Sequence, residues 1–246
     1  MDQQTKAALK QDKFVETTTT GVDWARENRQ TVIVAAAALL LVIVLVVGGF
    51  ALYSHRSDQA SIAFGGAMQA YQTPLAEPGQ AVPPGVKTYP TVAARAQAAN
   101  TQFVAVADQY NLTPVGNVAR YFAGLTFIES GQNASAETAL LKVAHGWNGD
   151  LAALAKLSLA QLYRQTGRDP QAIDIYNQLS AKPTTTVPAG LAQLQLAELY
   201  DSEGNTAKAK QIYAQLKDKD PKSAVAQVAS QKLNPAPAAP QGAPAE

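Results

Sequence analysis

The longest apolar stretch of the chain, TVIVAAAALLLVIVLVVGGFALY, runs over the 23 residues from Thr31 to Tyr53 and carries no charge. As a helix rising about 1.5 Å per residue it would be about 34 Å long, which is enough to cross the hydrocarbon core of a bilayer. A buried helix of a soluble protein usually keeps a polar stripe, and a cleaved signal peptide usually has a shorter apolar core near the start of the chain. The pattern therefore predicts a single transmembrane helix over 31–53.

Beyond this span, apolar residues recur at intervals of three and four positions, which is typical of amphipathic helices. Ala60, Phe64, Ala67 and Tyr71 share one such face, so the transmembrane helix is predicted to continue into the next domain. Five prolines then interrupt the pattern in the segment 73–90, which predicts a proline-rich loop. Helical periodicity resumes directly after the loop.

From residue 117 onward the chain repeats one arrangement of aromatic, glycine and alanine positions. Gly131, Gly167 and Gly204 are 36 and 37 residues apart, and each follows an aromatic residue by four positions and precedes an alanine by five. A period near 34 residues is typical of helix-turn-helix repeats, and each glycine is predicted to end a first helix in the left-handed conformation. The repeats are predicted at about 117–150, 153–186 and 190–223.

Two segments, LAKLSLAQLYRQTGRDPQAIDIYNQL at 154–179 and LAQLQLAELYDSEGNTAKAKQIYAQLKDKDP at 191–221, resemble tetratricopeptide repeats. The fold class is therefore predicted to be all-α, a single N-terminal transmembrane helix followed by a tetratricopeptide-repeat-like helical solenoid. The predicted domains are a cytoplasmic tail at 1–30, the transmembrane helix at 31–53, the helical domain at 54–233, and a disordered proline-rich tail at 234–246.

Composition argues against several classes of function. With 20 basic and 19 acidic residues and no basic stripe interleaved with aromatics, nucleic acid is not an expected partner. The absence of cysteine excludes disulfides, thiolate metal ligands and cysteine nucleophiles. The two histidines, His55 and His145, have no second ligand or nucleophile at a recognisable spacing. We therefore predict no enzyme, with no catalytic, metal or cofactor site.

Charge around the span predicts its orientation. Five basic residues precede the span, whereas Arg56 is the one that follows it closely. Because basic residues stay on the cytoplasmic side of a membrane, the N-terminus is predicted inside and the helical domain outside.

A surface for binding proteins is the function that the repeats predict. Stacked helix pairs form a superhelix whose concave side is lined by the first helices and can hold a peptide or a partner helix. In tetratricopeptide domains the second, fifth, ninth and twelfth repeat positions line it. Burial under the preceding helix pair is the alternative for the apolar positions. The candidate protein-binding residues that this resemblance implies, called the concave face below, are Tyr121, Leu157, Gln161, Arg164, Leu194, Glu198 and Asp201.

The order of tail, span, long first helix, broken connector and three repeats resembles the bacterial ancillary SecYEG translocon subunit family. The resemblance implies a single-pass protein of the bacterial inner membrane with a periplasmic domain. Its implied partners are Sec translocon subunits, periplasmic chaperones or exported polypeptides. The alternative is a tetratricopeptide scaffold that tethers an envelope-assembly or cell-division complex.

Overall fold

The computed structural model describes residues 28–76, 79 and 85–234. These residues form helices and no strand, apart from an isolated bridge between Leu75 and Tyr89. The predicted all-α fold is confirmed. The predicted tails lie outside the described residues, except for residues 28–30 and Asn234. The middle of the predicted proline-rich loop also lies outside them.

Nine helices follow one another in the described part of the chain. Their bounds are α1 Arg29–Tyr71, α2 Val92–Gln109, α3 Pro114–Glu129, α4 Asn133–Ala144, α5 Gly149–Gln165, α6 Asp169–Ala181, α7 Ala189–Ser202, α8 Thr206–Lys219 and α9 Ala224–Leu233. The chain divides into two compact units, Met1–Arg56 and Ser57–Glu246, and α1 contributes residues to both.

In the first unit, the described part of α1 is apolar and exposed on all sides. Large apolar side chains from Ile33 to Leu52 are 52–72% exposed. By length and composition α1 is able to cross a membrane, and it is the one helix of the described residues that is. Its exposed apolar surface is the kind that a bilayer would cover.

In the second unit, the end of α1 packs against α2 and α3 through aromatic rings. Phe64, Tyr71, Phe103 and Phe122 form what we call the aromatic layer, in which ring centroids lie 5.4–6.1 Å apart. Phe103 at its centre is fully buried. Offset and edge-to-face contacts of this kind are the favourable arrangements of aromatic pairs.

Buried polar contacts fix the same three helices relative to one another. The Asn100 side-chain amide donates to the Ala123 carbonyl and to Thr126 Oγ1, both at 2.9 Å. The Tyr71 hydroxyl donates to Glu129 Oε1 at 2.6 Å. Because burial desolvates the phenol and Glu129 accepts its proton in a hydrogen bond, the pKa of Tyr71 rises to about 12.

The three glycines of the repeat pattern adopt the conformation predicted for them. Gly131, Gly167 and Gly204 have φ of 77°, 69° and 77°. This left-handed region favours glycine because a Cβ is strained there, so each glycine ends a first helix and allows the chain to turn back.

Small and large residues alternate where the paired helices meet. A Cβ on Gly124 would lie 2.6 Å from Leu140 Cγ, so the Leu140 side chain of α4 occupies the space that a side chain at this position would need. On the second helices, the small residues Ala136, Ala172 and Ala209 are at most 1% exposed. Leu140, Tyr176 and Tyr213, four positions further on, are at most 2% exposed and fill the space between helix pairs.

The first helices of successive pairs run in the same direction. Tyr71 at the end of α1 binds Glu129 at the end of α3, and the Tyr121 hydroxyl of α3 lies 3.4 Å from Ser158 Oγ of α5. Thr186, before α7, donates its hydroxyl at 2.9 Å to the carbonyl of Asp150 in the first turn of α5. The loops 110–113, 145–148 and 182–188 therefore lie at the end of the second unit where the chain enters at Ser57, and the glycine turns lie at the opposite end.

Candidate functional site

The polar members of the concave face lie on the C-terminal halves of α5 and α7. Gln161 and Asp201 are exposed, whereas Arg164 and Glu198 are half-buried. Gln161 and Arg164 also line a groove of about 410 Å³ between these helices. The remaining lining residues, which the sequence pattern did not single out, are Gln165, Asp169, Leu199 and Ser202.

Three charged side chains of this face act on one buried hydroxyl group, that of Tyr213. Burial is the main reason that the pKa of Tyr213 rises to about 12. The carboxylates of Asp201 and Glu198 raise this pKa further, and the guanidinium of Arg164 lowers it. Arg164 of α5 and two carboxylates of α7 thus all influence the ionisation of a phenol that comes from α8.

Tyr176 repeats this arrangement one helix pair earlier. Burial raises the pKa of its phenol, against the effect of Arg164, whose guanidinium lies beside the hydroxyl without hydrogen-bond geometry. Within the described residues, neither the Tyr176 nor the Tyr213 hydroxyl has a hydrogen-bond partner. Both phenols stay protonated at neutral pH, so each is an unused donor beneath the concave face.

Both tyrosines follow a small residue, Ala172 or Ala209, by four positions, where a large side chain fills the space between helix pairs. The sequence signal for a role beyond packing is their hydroxyl group. Tyrosine recurs after 37 residues at this place in the repeat, whereas the first repeat has Leu140 there. A buried hydroxyl in that place is expected to seek a partner.

Glu198 is also held within its own helix. The side-chain amide of Gln195 donates to Glu198 Oε2 at 2.9 Å, one turn earlier on α7. This contact limits the rotamers of the carboxylate and so keeps its charge at one place on the face.

The apolar members of the concave face belong mostly to the core. Leu194 is 7% exposed and packs in one cluster with Tyr213. Leu157 and Tyr121 are half-buried and pack against the cluster that contains Leu159. The accessible part of the face therefore consists of Gln161, Arg164, Glu198 and Asp201, which together offer hydrogen bonds and charges of both signs.

Among the residues that the structure describes, no three His, Cys, Asp or Glu side chains lie where they could hold a metal ion. The groups present at the face can recognise polar and charged groups of a binding partner.

Two family models match the chain. Residues 23–175 match a model described as a tetratricopeptide repeat-like domain, and residues 191–223 match a tetratricopeptide repeat. The first match covers more than half of the chain and includes the apolar part of α1 as well as the helices up to α6. A search of curated proteins found no match.

A solved structure shares the fold. It is a crystal structure of a Podosopora anserina putative kinesin light chain, described as having nearly identical TPR-like repeats. The two chains are 16% identical in sequence, and their structures superpose with a TM-score of 0.53. The match covers 73% of this chain and 84% of the kinesin light chain structure. At this level of identity the likeness concerns the fold alone.

Proposed function

This chain belongs to the tetratricopeptide repeat-like family, and on that premise we propose that it is a membrane-anchored scaffold that binds other proteins through its concave face. Repeats of this family generally mediate protein–protein interaction, and the family is typically non-catalytic. The observation that carries the proposal is the accessible polar part of the concave face, where Gln161 and Arg164 line a groove and Glu198 and Asp201 add two carboxylates on α7.

The chemistry of this face suits an extended polypeptide segment. Backbone amide and carbonyl groups of such a segment would pair with Gln161, and charged side chains of either sign would find a counter-charge on α5 or α7. A folded partner with a large apolar patch would fit less well, because the apolar members of the face are already packed in the core.

The anchor is the apolar part of α1. We assign residues 31–53 to a membrane span, with the N-terminus in the cytoplasm and the helical domain in the periplasm of a bacterial cell. The exposed apolar side chains of this segment and the excess of basic residues before it support the assignment.

Protease added to intact spheroplasts tests the orientation. We expect cleavage of the helical domain before lysis. Protection of this domain until the spheroplasts are lysed would reverse the assignment.

Within this setting, we propose that the protein is ancillary to the Sec translocon and links it to periplasmic chaperones or exported chains. The order of tail, span, long helix and repeats supports this role by its resemblance to ancillary translocon subunits. An extended exported chain is also the kind of ligand that the polar concave face suits.

Photocrosslinking from Gln161 in native membranes identifies the partner. Asn177 is the matched control, because it is exposed on a second helix, α6, outside the concave face. Crosslinks from Gln161 to translocon subunits and exported chains, absent from Asn177, support the proposal. Crosslinks to one stable envelope protein favour the alternative scaffold role, and crosslinks confined to the protein's own neighbouring helices would show that the face is closed.

Exchange of two charges tests the same face without changing the net charge. Arg164→Glu combined with Glu198→Arg is expected to weaken binding by about 1 kcal/mol per contact while the helical content stays the same. Lys210→Glu is the control, because Lys210 is exposed on α8. Equal crosslinking yields from Gln161 in the exchanged and parent proteins would remove these side chains from the binding site.

A further inference from the structure

The most exposed large apolar side chains of the second unit gather at one of its ends. Leu112, Trp147 and Ile62 are 83%, 78% and 77% exposed, each more than any other large apolar residue described there. Leu112 lies in the loop before α3 and Trp147 in the loop before α5. Ile62 lies five residues after Ser57, where the chain enters this unit.

The opposite end of the second unit differs in character. Its turns have the sequences Ser-Gly-Gln, Thr-Gly-Arg and Glu-Gly-Asn around the three glycines and contain no large apolar residue. Beside the proline-rich loop, Leu75, Val86 and Val92 are 37–50% exposed, well below the values for the three residues at the Ser57 end. The exposed apolar surface is thus concentrated where the chain enters.

Helix caps order the two loops that carry these side chains. Thr113 caps the start of α3, where its Oγ1 accepts a hydrogen bond from the Gly116 amide at 3.0 Å. Asn148 caps the start of α5, where its Oδ1 accepts from the Leu151 amide at 3.1 Å. Leu112 and Trp147 directly precede these caps. Because the caps already order the loops, little conformational entropy is lost when the two side chains enter another medium.

We propose that the Ser57 end of the second unit contacts a lipid bilayer, with Trp147 and Leu112 inserted at the level of the lipid head groups. The inference rests on the proposed function, in which residues 31–53 cross the bilayer. Tyr53 and Ser57 are four residues apart, at most about 14 Å even in an extended chain, so Ser57 lies close to the membrane surface. The loops that carry Leu112 and Trp147 lie at the end of the unit that contains Ser57.

The chemistry of the loops favours lipid as the occupant. An indole ring is amphipathic and is enriched at the boundary between hydrocarbon and water. The loop 110–113 carries no charge, and the loop 145–148 carries His145 alone. Attraction of these two loops to anionic lipids therefore contributes little, and the insertion of Leu112 and Trp147 is expected to be insensitive to salt.

Tryptophan fluorescence of the full chain in liposomes tests the contact. Trp24 is the one other tryptophan, so Trp24→Phe leaves Trp147 as the sole emitter. In liposomes of phosphatidylethanolamine and phosphatidylglycerol, we expect Trp147 emission to be lost when the lipids carry bromine near the head-group end of their acyl chains. We also expect protection from aqueous iodide, at low and high salt alike.

Two further proteins, both with Trp24→Phe and Trp147→Phe, complete the experiment. Gln132→Trp places the probe in the glycine turn at the opposite end and is expected to respond to iodide and not to bromine. Tyr53→Trp reports the proposed span and is expected to respond to bromine.

The outcomes separate the two proposals. If Tyr53→Trp is quenched by bromine and Trp147 is not, the span stands and the contact of the loops with lipid is wrong. If Gln132→Trp is quenched as strongly as Trp147, the contact is not specific to the Ser57 end and the inference is likewise wrong. If Tyr53→Trp responds to iodide instead of bromine, the membrane anchor itself is overturned.

Discussion

The N-terminal helices of the second unit are held together differently from its repeats. In the aromatic layer, four rings contact one another and three helices are joined by hydrogen bonds that occur once, such as those of Asn100 and Tyr71. In the helix pairs from α5 to α8, the same alanine and tyrosine positions recur and the core is built of copies. The first arrangement is specific and the second modular, so equal substitutions in the two are expected to have unequal effects.

Removal of a ring from the aromatic layer is expected to have the largest effect. Phe103 is fully buried and contacts Phe64, Tyr71 and Phe122, so Phe103→Ala is expected to destabilise the protein by about 3–5 kcal/mol. Urea unfolding of the full chain in detergent, followed by circular dichroism, measures it. Trp147→Ala is the control, because this ring is 78% exposed. If both variants unfold at the same urea concentration, the aromatic layer is not a packed core.

Removal of one tyrosine hydroxyl is expected to have the next largest effect on stability, and a different one in each of the two regions. The Tyr71 hydroxyl donates to a carboxylate, so Tyr71→Phe is expected to cost about 1.5–3 kcal/mol. The Tyr213 hydroxyl has no partner among the described residues, so Tyr213→Phe is expected to cost nothing or to stabilise slightly. The same unfolding measurement compares them. A larger loss for Tyr213→Phe would mean that its hydroxyl has a partner after all.

An added methyl group tests how closely the repeats are packed. Gly124→Ala places a Cβ 2.6 Å from Leu140 Cγ, and we expect overpacking to cost about 1–3 kcal/mol. Gly65→Ala on α1 is the matched control, because no atom lies within 4 Å of its Cβ position. That control is expected to stabilise the helix by about 0.5–1 kcal/mol, since alanine has the higher helix propensity. Equal melting temperatures for the two variants would contradict the close approach of α3 and α4.

Alkaline pH is expected to give the smallest effect. The pKa of Tyr71 is about 12 in the folded protein and near 10 when the chain is unfolded, so the folded state holds this proton more strongly. The resulting stability is fully present below pH 10 and is lost as pH rises through 12. Unfolding measured from pH 9 to pH 12 should therefore depend less on pH in Tyr71→Phe than in the parent. An unchanged slope would place the Tyr71 hydroxyl in water.

Sequence could predict the modular region well because each of its constraints acts on one residue. A left-handed φ at Gly131, Gly167 and Gly204 and small side chains at Ala172 and Ala209 leave a local trace that recurs with the period. The agreement of three copies identified both the fold and the register of the helices.

The hydrogen bonds beside the aromatic layer left no such trace. Tyr71 and Glu129 are 58 residues apart, and Asn100 and Thr126 are 26 apart, so neither pair forms a periodic pattern. Each residue alone has an ordinary alternative as a surface side chain. The contacts become visible only when α1, α2 and α3 are placed together.

The concave face stays a prediction, and the exposure of its side chains could be predicted only in part. Gln161 and Asp201 are exposed, but the burial of Leu194 depends on Tyr213, which comes from another helix. The repeat position of a residue states which way its side chain points, and the neighbouring helix decides whether it is covered. The identity of the partner depends on groups of another molecule and stays a proposal.

The sequential packing of the helices has a consequence for biosynthesis. From α2 to α8, each helix packs against the next helix along the chain. Helix α1 is joined to α2 and α3 through the aromatic layer. Contacts between near neighbours in sequence require only short loops to close, so each added helix can dock on a finished surface. As the chain emerges N-terminus first, the contacts of the aromatic layer can form as soon as α3 is made, before the second and third repeats exist. We expect this layer to template the growing stack, so that no helix has to wait for the C-terminus to be made.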